Sequence, residues 1–160
     1  MTPLHWAAFY GHDAVIKELL DQGADVNSVD FIAMNPIHYA TLRNHPSSVI
    51  ALADGGSFLD KKSKSGNTPL HIAIEHRYND VIRVLLVRHA DVNVYDAKLR
   101  SPLHLSISNG DYDTTVLLLQ KGANVNDVDD IGDSPLQYAL RSRDSRFIDL
   151  LREYGATVIG

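Results

Sequence analysis

Thr2-Pro3-Leu4-His5 returns as Asn35-Pro36-Ile37-His38, Thr68-Pro69-Leu70-His71, Ser101-Pro102-Leu103-His104 and Ser134-Pro135-Leu136-Gln137, each 33 residues after the last. A fixed period of that length, kept without insertion, demands a stack of like units that bury their apolar faces against one another. The Thr/Ser/Asn-Pro pair is a helix start. A hydroxyl or amide at the N-cap accepts a bond from an orphan helical N–H, and proline at the next position brings a preset φ where no donor is needed. Each start leads into a short apolar run, a turn, and a second leucine-rich run such as Val15-Ile16-Lys17-Glu18-Leu19-Leu20. A polar segment such as Gly23-Ala24-Asp25-Val26-Asn27 follows.

In register, these segments resemble the ankyrin repeat family across residues 2–160. The resemblance implies an all-α solenoid of helix-turn-helix units linked by β-hairpin loops. It also implies a single domain over residues 1–160, with repeats at 2–34, 35–67, 68–100, 101–133 and 134–160. Within a unit, the third repeat places a first helix at Pro69–Glu75 and a second at Val81–Val87. Small residues in the first helix (Ala7, Ala8, Ala40, Ala73, Ala139) allow a close antiparallel pair. Glycine at 23, 56, 122 and 155 ends the second helix in a left-handed conformation. The turn between helices has Gly11 and Gly110 but Asn44, Arg77 and Arg143 elsewhere, and His89 replaces the later glycine in repeat 3. Repeat 2 is the most degenerate: Pro46-Ser47-Ser48, Ala51, Ala53 and Gly55-Gly56-Ser57-Phe58 thin its interfaces, so it is expected to be the loosest joint. Trp6, at helical spacing among apolar residues, is expected in the core against the second helix of its own repeat. A further repeat before it in a longer protein would cover Trp6 and Phe9 as well.

The net charge of −5 is unevenly distributed. Repeats 1 and 4 carry −4 and −5, while repeats 2, 3 and 5 are weakly basic. No sustained basic face exists for phosphate neutralisation, so nucleic acid is not an expected partner. The chain has no cysteine, which removes disulfides, thiolate metal sites and cysteine nucleophiles. No apolar stretch approaches the roughly 18 residues of a membrane span, and no secretory signal opens the sequence. An intracellular, cytoplasmic monomer without membrane insertion is the expectation.

Eight histidines raise the question of metal or catalysis. His5, His38, His71 and His104 share one repeat position, one solenoid step apart, too far to share an ion. By the resemblance they hold the helix start and the neighbouring loop, and His12 and His45 occupy the family's turn. His76 and His89 are unassigned, but His71 to His76 lacks the i, i+4 spacing of a helical zinc pair. Asp127, Asp129, Asp130 and Asp133 lack the glutamate that closes a calcium loop. No nucleophile elbow, phosphate loop or dinucleotide fingerprint occurs. No catalytic residue, metal or cofactor is expected, and the chain does not read as an enzyme.

Function is therefore expected on the surface. The resemblance implies an adaptor-like module that binds a partner protein through a concave face made of first helices and loop tips. Carried over by position, that face offers Phe9, Tyr10, Phe31, Ile32 and Met34 in repeat 1. Leu42, Arg43 and Lys64 come from repeat 2, and His76, Tyr95, Lys98 and Arg100 from repeat 3. The apolar tip Phe31-Ile32-Ala33-Met34 stands where the family has polar residues and a glycine, and an exposed apolar cluster usually marks an interface; the other reading of the tip is that Phe31 or Met34 folds back over repeat 2 and compensates for its thin core. The alternative is a regulatory or targeting segment of a larger enzyme, channel or ubiquitin-ligase subunit. Asn27, Asn93 and Asn126 resemble asparagines that the family offers to an asparaginyl hydroxylase. They equally fit a role bracing the loops.

Overall fold

Every Pro of the repeated tetrapeptide opens a helix in the computed structural model, which describes residues 1–158. The first unit, residues 1–91, holds three helical pairs: α1 (Pro3–Tyr10) with α2 (Asp13–Asp21), α3 (Pro36–Leu42) with α4 (Pro46–Asp54), and α5 (Pro69–Glu75) with α6 (Asn79–Val87). First helices pack on first helices, α1 on α3 and α3 on α5; second helices do likewise, α2 on α4 and α4 on α6. The second unit, residues 92–160, holds α7 (Pro102–Ser108), α8 (Tyr112–Gln120), α9 (Pro135–Ser142) and α10 (Ser145–Glu153). There α7 packs on α8 and α9, and α9 on α10. The last repeat extends to Ile159 and Gly160, which lie outside the described residues. The fold is an all-α repeat solenoid. Helix α5 has the expected bounds, and α6 starts two residues before the expected Val81.

The caps explain why such short helices hold. Thr2, Thr68, Ser101 and Ser134 sit in extended backbone and accept the N–H of the residue three places on. That residue returns the bond. Nδ1 of His5 accepts the Thr2 amide at 3.0 Å, so the ring proton lies on Nε2, which donates to the Met34 carbonyl at 3.0 Å. His104 does the same between Ser101 and the Asp133 carbonyl, at 3.1 and 3.0 Å. Each imidazole thus caps its own helix and ties down the loop 29 residues ahead. Repeat 2 is weaker here. Asn35 has no hydroxyl proton to offer, and its amide oxygen, an acceptor, lies 2.6 Å from His38 Nδ1.

The core runs between repeats. Leu4, Ile16, Ile37, Leu52, Leu70, Ile74, Ile82 and Leu85 fill the first unit, and Leu103, Ile107, Leu118 and Phe147 the second. Ala7, Ala40, Ala73 and Ala139 share one repeat position and are buried, as close helix approach requires. Repeat 4 has Ser106 instead, and its hydroxyl is satisfied by donating to Leu103 O and accepting from Thr115. In repeat 2 the buried hydroxyls of Thr41 and Ser57 have no partner among the described residues.

Two expectations are corrected. No strand occurs among the described residues, so the expected β-hairpins are turns, each closed by a bond such as Asp30 N–H to Met34 O at 3.0 Å. An aspartate replaces the ladder: one oxygen of Asp30, Asp96 and Asp129 accepts two backbone N–H groups of its tip. Trp6 is not core. It is 49% exposed, because Leu4, Ala7 and Ala8 form the buried stripe of α1 and Trp6 lies on the other side.

The inter-helix turn needs positive φ in every repeat: Gly11 71°, Asn44 56°, Arg77 57°, Gly110 66° and Arg143 57°. A β-carbon at Gly11 would also stand 2.8 Å from the His45 ring, while at Gly110 it would meet open space. Gly110→Ala is therefore expected to cost about 1 kcal/mol, the left-handed penalty alone, and Gly11→Ala clearly more; urea unfolding of both variants checks the order.

Burial pushes the His104 imidazole below its ordinary value of 6.5, against the pull of the Asp133 carbonyl. A depressed base stabilises the fold above the unfolded value, and that contribution is lost as pH falls from 6.5 through the lowered one. Gln137 makes the same cap without titrating. His104→Gln should therefore flatten the loss of stability below pH 6.5, measured by unfolding across that range.

Candidate protein-interaction surface

Helix α1 is apolar on two sides. Leu4, Ala7 and Ala8 face the core, while Trp6, Phe9 and Tyr10 repeat the same i, i+3, i+4 spacing on the outside. The outer rings form one cluster. Trp6 stacks on Tyr10 at 6.1 Å and 16°, and Phe9 meets Tyr10 edge-on at 5.0 Å. Phe9 also leans on Tyr39 of α3 at 6.1 Å, and the Arg43 guanidinium lies 4.7 Å over its face. A cation against a ring face gains about 0.5–1 kcal/mol at an exposed site, so Arg43 is held in place beside the aromatics.

The tip after α2 contributes unevenly. Phe31 is 79% exposed and takes no ring contact among the described residues, and Ile32 is partly exposed. Met34 is buried, which corrects its expected place on the binding tip. Asp30 is the cause: accepting the Ile32 and Met34 amides at 3.0 and 3.1 Å, it turns the chain inward. Tyr39 seals the turn by donating to the other Asp30 oxygen. Burial and this bond push the Tyr39 hydroxyl up to about 12. Burial pushes the Asp30 carboxyl up, but the bonds from Tyr39 and the two amides hold it below its ordinary value.

Elsewhere in the first unit Leu42 is partly exposed, and Arg43, Lys64 and His76 are exposed, with His76 stacked on Tyr78 at 5.3 Å. In the second unit Lys98 is exposed. Tyr95 and Arg100 have their polar ends engaged inside the fold: the Tyr95 hydroxyl donates to Asp127 at 2.6 Å, and Arg100 pairs with Asp96 at 2.7 Å. Arg100 thus braces its own tip while remaining partly exposed. Other exposed apolar residues include Trp6, Phe58 (66%), Val87 (63%), Leu99 (52%) and Ile131 (73%). Leu99 keeps φ at 55°, where the corresponding residues of two other tips are Gly66 and Gly132.

The acidic cluster of repeat 4 is built into the fold. One Asp129 oxygen accepts two tip amides and the other the Tyr138 hydroxyl, while Asp133 takes a two-bond contact from Arg141. Among the described residues no group of three or more metal-binding side chains converges. No helix there is long and apolar enough to cross a membrane.

The three asparagines each bridge to the next repeat. Asn27 donates to Gly56 O at 3.2 Å and accepts the Phe58 amide at 2.7 Å; Asn93 pairs likewise with Gly122 and Asn124, and Asn126 with Gly155 and Thr157. Both ends of each amide are occupied by these bonds, which fits the bracing role. The fourth member of this series is Asp60, which the 33-residue arithmetic alone would have found.

The family model for ankyrin repeats, in three copies, matches residues 4–96 and again 85–159. The chain belongs to the ankyrin repeat family. Ankyrin repeats are in general protein–protein interaction modules, and the family is typically non-catalytic. No curated protein matches the chain significantly.

Asp60 accepts the Asp91 amide at 2.9 Å but, as a carboxylate, has nothing to donate. Burial and the Asp91 charge raise it above 3.8, against the pull of that bond. A raised acid costs stability as pH climbs from 3.8 through the shifted value. Asp60→Asn should therefore stabilise the first unit by about 0.5–1.5 kcal/mol at neutral pH, and the gain should shrink below pH 3.8 in urea unfolding.

Proposed function

We propose that this ankyrin-repeat chain works as an adaptor that recognises a partner protein through the first-helix and loop-tip surface of its first unit. The observation that carries this reading is the exposed aromatic set on α1, with Tyr10 57% and Trp6 49% exposed, next to an ordered Arg43. Tyr, Trp and Arg are the residue types that dominate binding hot spots, because they offer large, stiff contact areas with a polar handle. Phe31 adds an apolar anchor on the tip. Ile32, Leu42, Lys64 and His76 form the margin, where contacts exclude water and contribute less. Lys98 and the ring of Tyr95 belong to the second unit and extend recognition there. The bonding of His5 and His104 in helix caps supports a binding reading over a catalytic one.

Tyr10→Ala/Phe31→Ser should weaken partner capture from native extract by about 2 kcal/mol or more, roughly thirtyfold, with helical content unchanged. Ile131→Ser in the second unit is the control and should bind normally. Normal capture by the double variant, with its circular dichroism intact, would sink the reading.

A further inference from the structure

A second surface lies between the second helices of repeats 1 and 2, lined by no residue of the first helices or tips. Helices α2 and α4 leave a groove of about 400 Å³ between them. Its floor is apolar, made by Leu20, Ile50 and Ala51. The groove exists because repeat 2 lacks bulk there: Ala51 and Gly55 stand where the next repeat has Val84 and Arg88. Leu20 has settled onto Gly55, whose missing β-carbon would lie 2.6 Å from a Leu20 methyl.

The charge at one end of this groove is unbalanced. Helices α2 and α4 both finish on an aspartate, Asp21 and Asp54, and neither has a basic residue in its last turn. A carboxylate at a helix C-terminus opposes the dipole, and a cation is favoured there. Asp54 meets Arg88 at 2.9 Å, but Asp21 has no ion pair among the described residues. Asp13 at the far end accepts from Ser48. Lys17, one turn from both Asp13 and Asp21, is the single cation on the walls, against three carboxylates.

We propose that the α2–α4 groove docks a cationic amphipathic helix of a partner protein. An aliphatic side chain of that helix rests on Leu20, Ile50 and Ala51, and a lysine or arginine one turn away meets Asp21 and Asp54. Parallel neighbouring helices with a furrow between them suit a third helix, whose side-chain ridge fills it.

The test is an NMR titration of the full chain with a synthetic amphipathic peptide bearing leucines on one face and arginines beside them. A second peptide has glutamates in place of the arginines. Shifts centred on Leu20, Ile50 and Ala51 are expected, with the glutamate peptide about tenfold weaker or more and Asp21→Asn about threefold weaker than wild type. Ala51→Leu, which fills the groove, should abolish binding of the arginine peptide. Equal affinity for the two peptides, shifts centred on Trp6, Tyr10 and Phe31, or undiminished binding by Asp21→Asn overturns the proposal. Asp21 has no internal ion pair to lose, so that variant decides the matter even if Ala51→Leu unfolds.

Discussion

The bond from a neutral imidazole to a loop 29 residues ahead is the interaction on which the rest depends. A short helix nucleates poorly by itself, and these first helices have only seven or eight residues. Capping from both sides makes up for this. Using the second ring nitrogen on a carbonyl of the next junction links helix formation to stacking. The same commitment gives the capping histidines a structural role. A ring that accepts at Nδ1 and donates at Nε2 has no lone pair left for a metal and no proton to trade. Asp30, Asp96 and Asp129 are likewise used up by the tips they close.

With these polar side chains so engaged, the surfaces proposed for recognition are what the stack leaves uncovered. In repeat 2 the position of Trp6 is held by Tyr39, which packs on Phe9 of the helix before it. Among the described residues, none covers Trp6 in that way. The acidic groove arises by a related route, since small side chains in α4 leave a furrow that their counterparts in α6 would fill. One surface comes from an added excess of aromatic area, the other from a deficit of volume.

The period, the helix starts, the buried alanines and the left-handed glycines were all legible in the sequence, because each follows from a local rule about caps, size or φ. The departures at Arg77 and Arg143 were visible too, and both residues adopt the strained turn that glycine would take freely. The candidate surface was legible by position but not by orientation. Tyr10, Phe31 and Arg43 lie outside as expected, whereas Met34 turns inward because Asp30 gathers the amides on either side of Ala33. The tie of Arg100 to Asp96 was not legible, because that partner is set by the fold of the tip. Trp6 lies outside because the apolar residues of α1 divide into two stripes, which apolar spacing alone does not assign to core or surface.

The asparagine braces carry one more consequence. Each joins a residue to atoms 29 and 31 positions later, as do Asn27, Asn93 and Asn126 in turn. Nothing in such a bond registers where along the chain it is made. A gene segment encoding one whole period, copied or lost, leaves every remaining brace with a partner at the correct offset. A segment of any other length would leave an amide facing the wrong residue. The molecule's geometry therefore sets the size of the step by which its ancestors could lengthen or shorten.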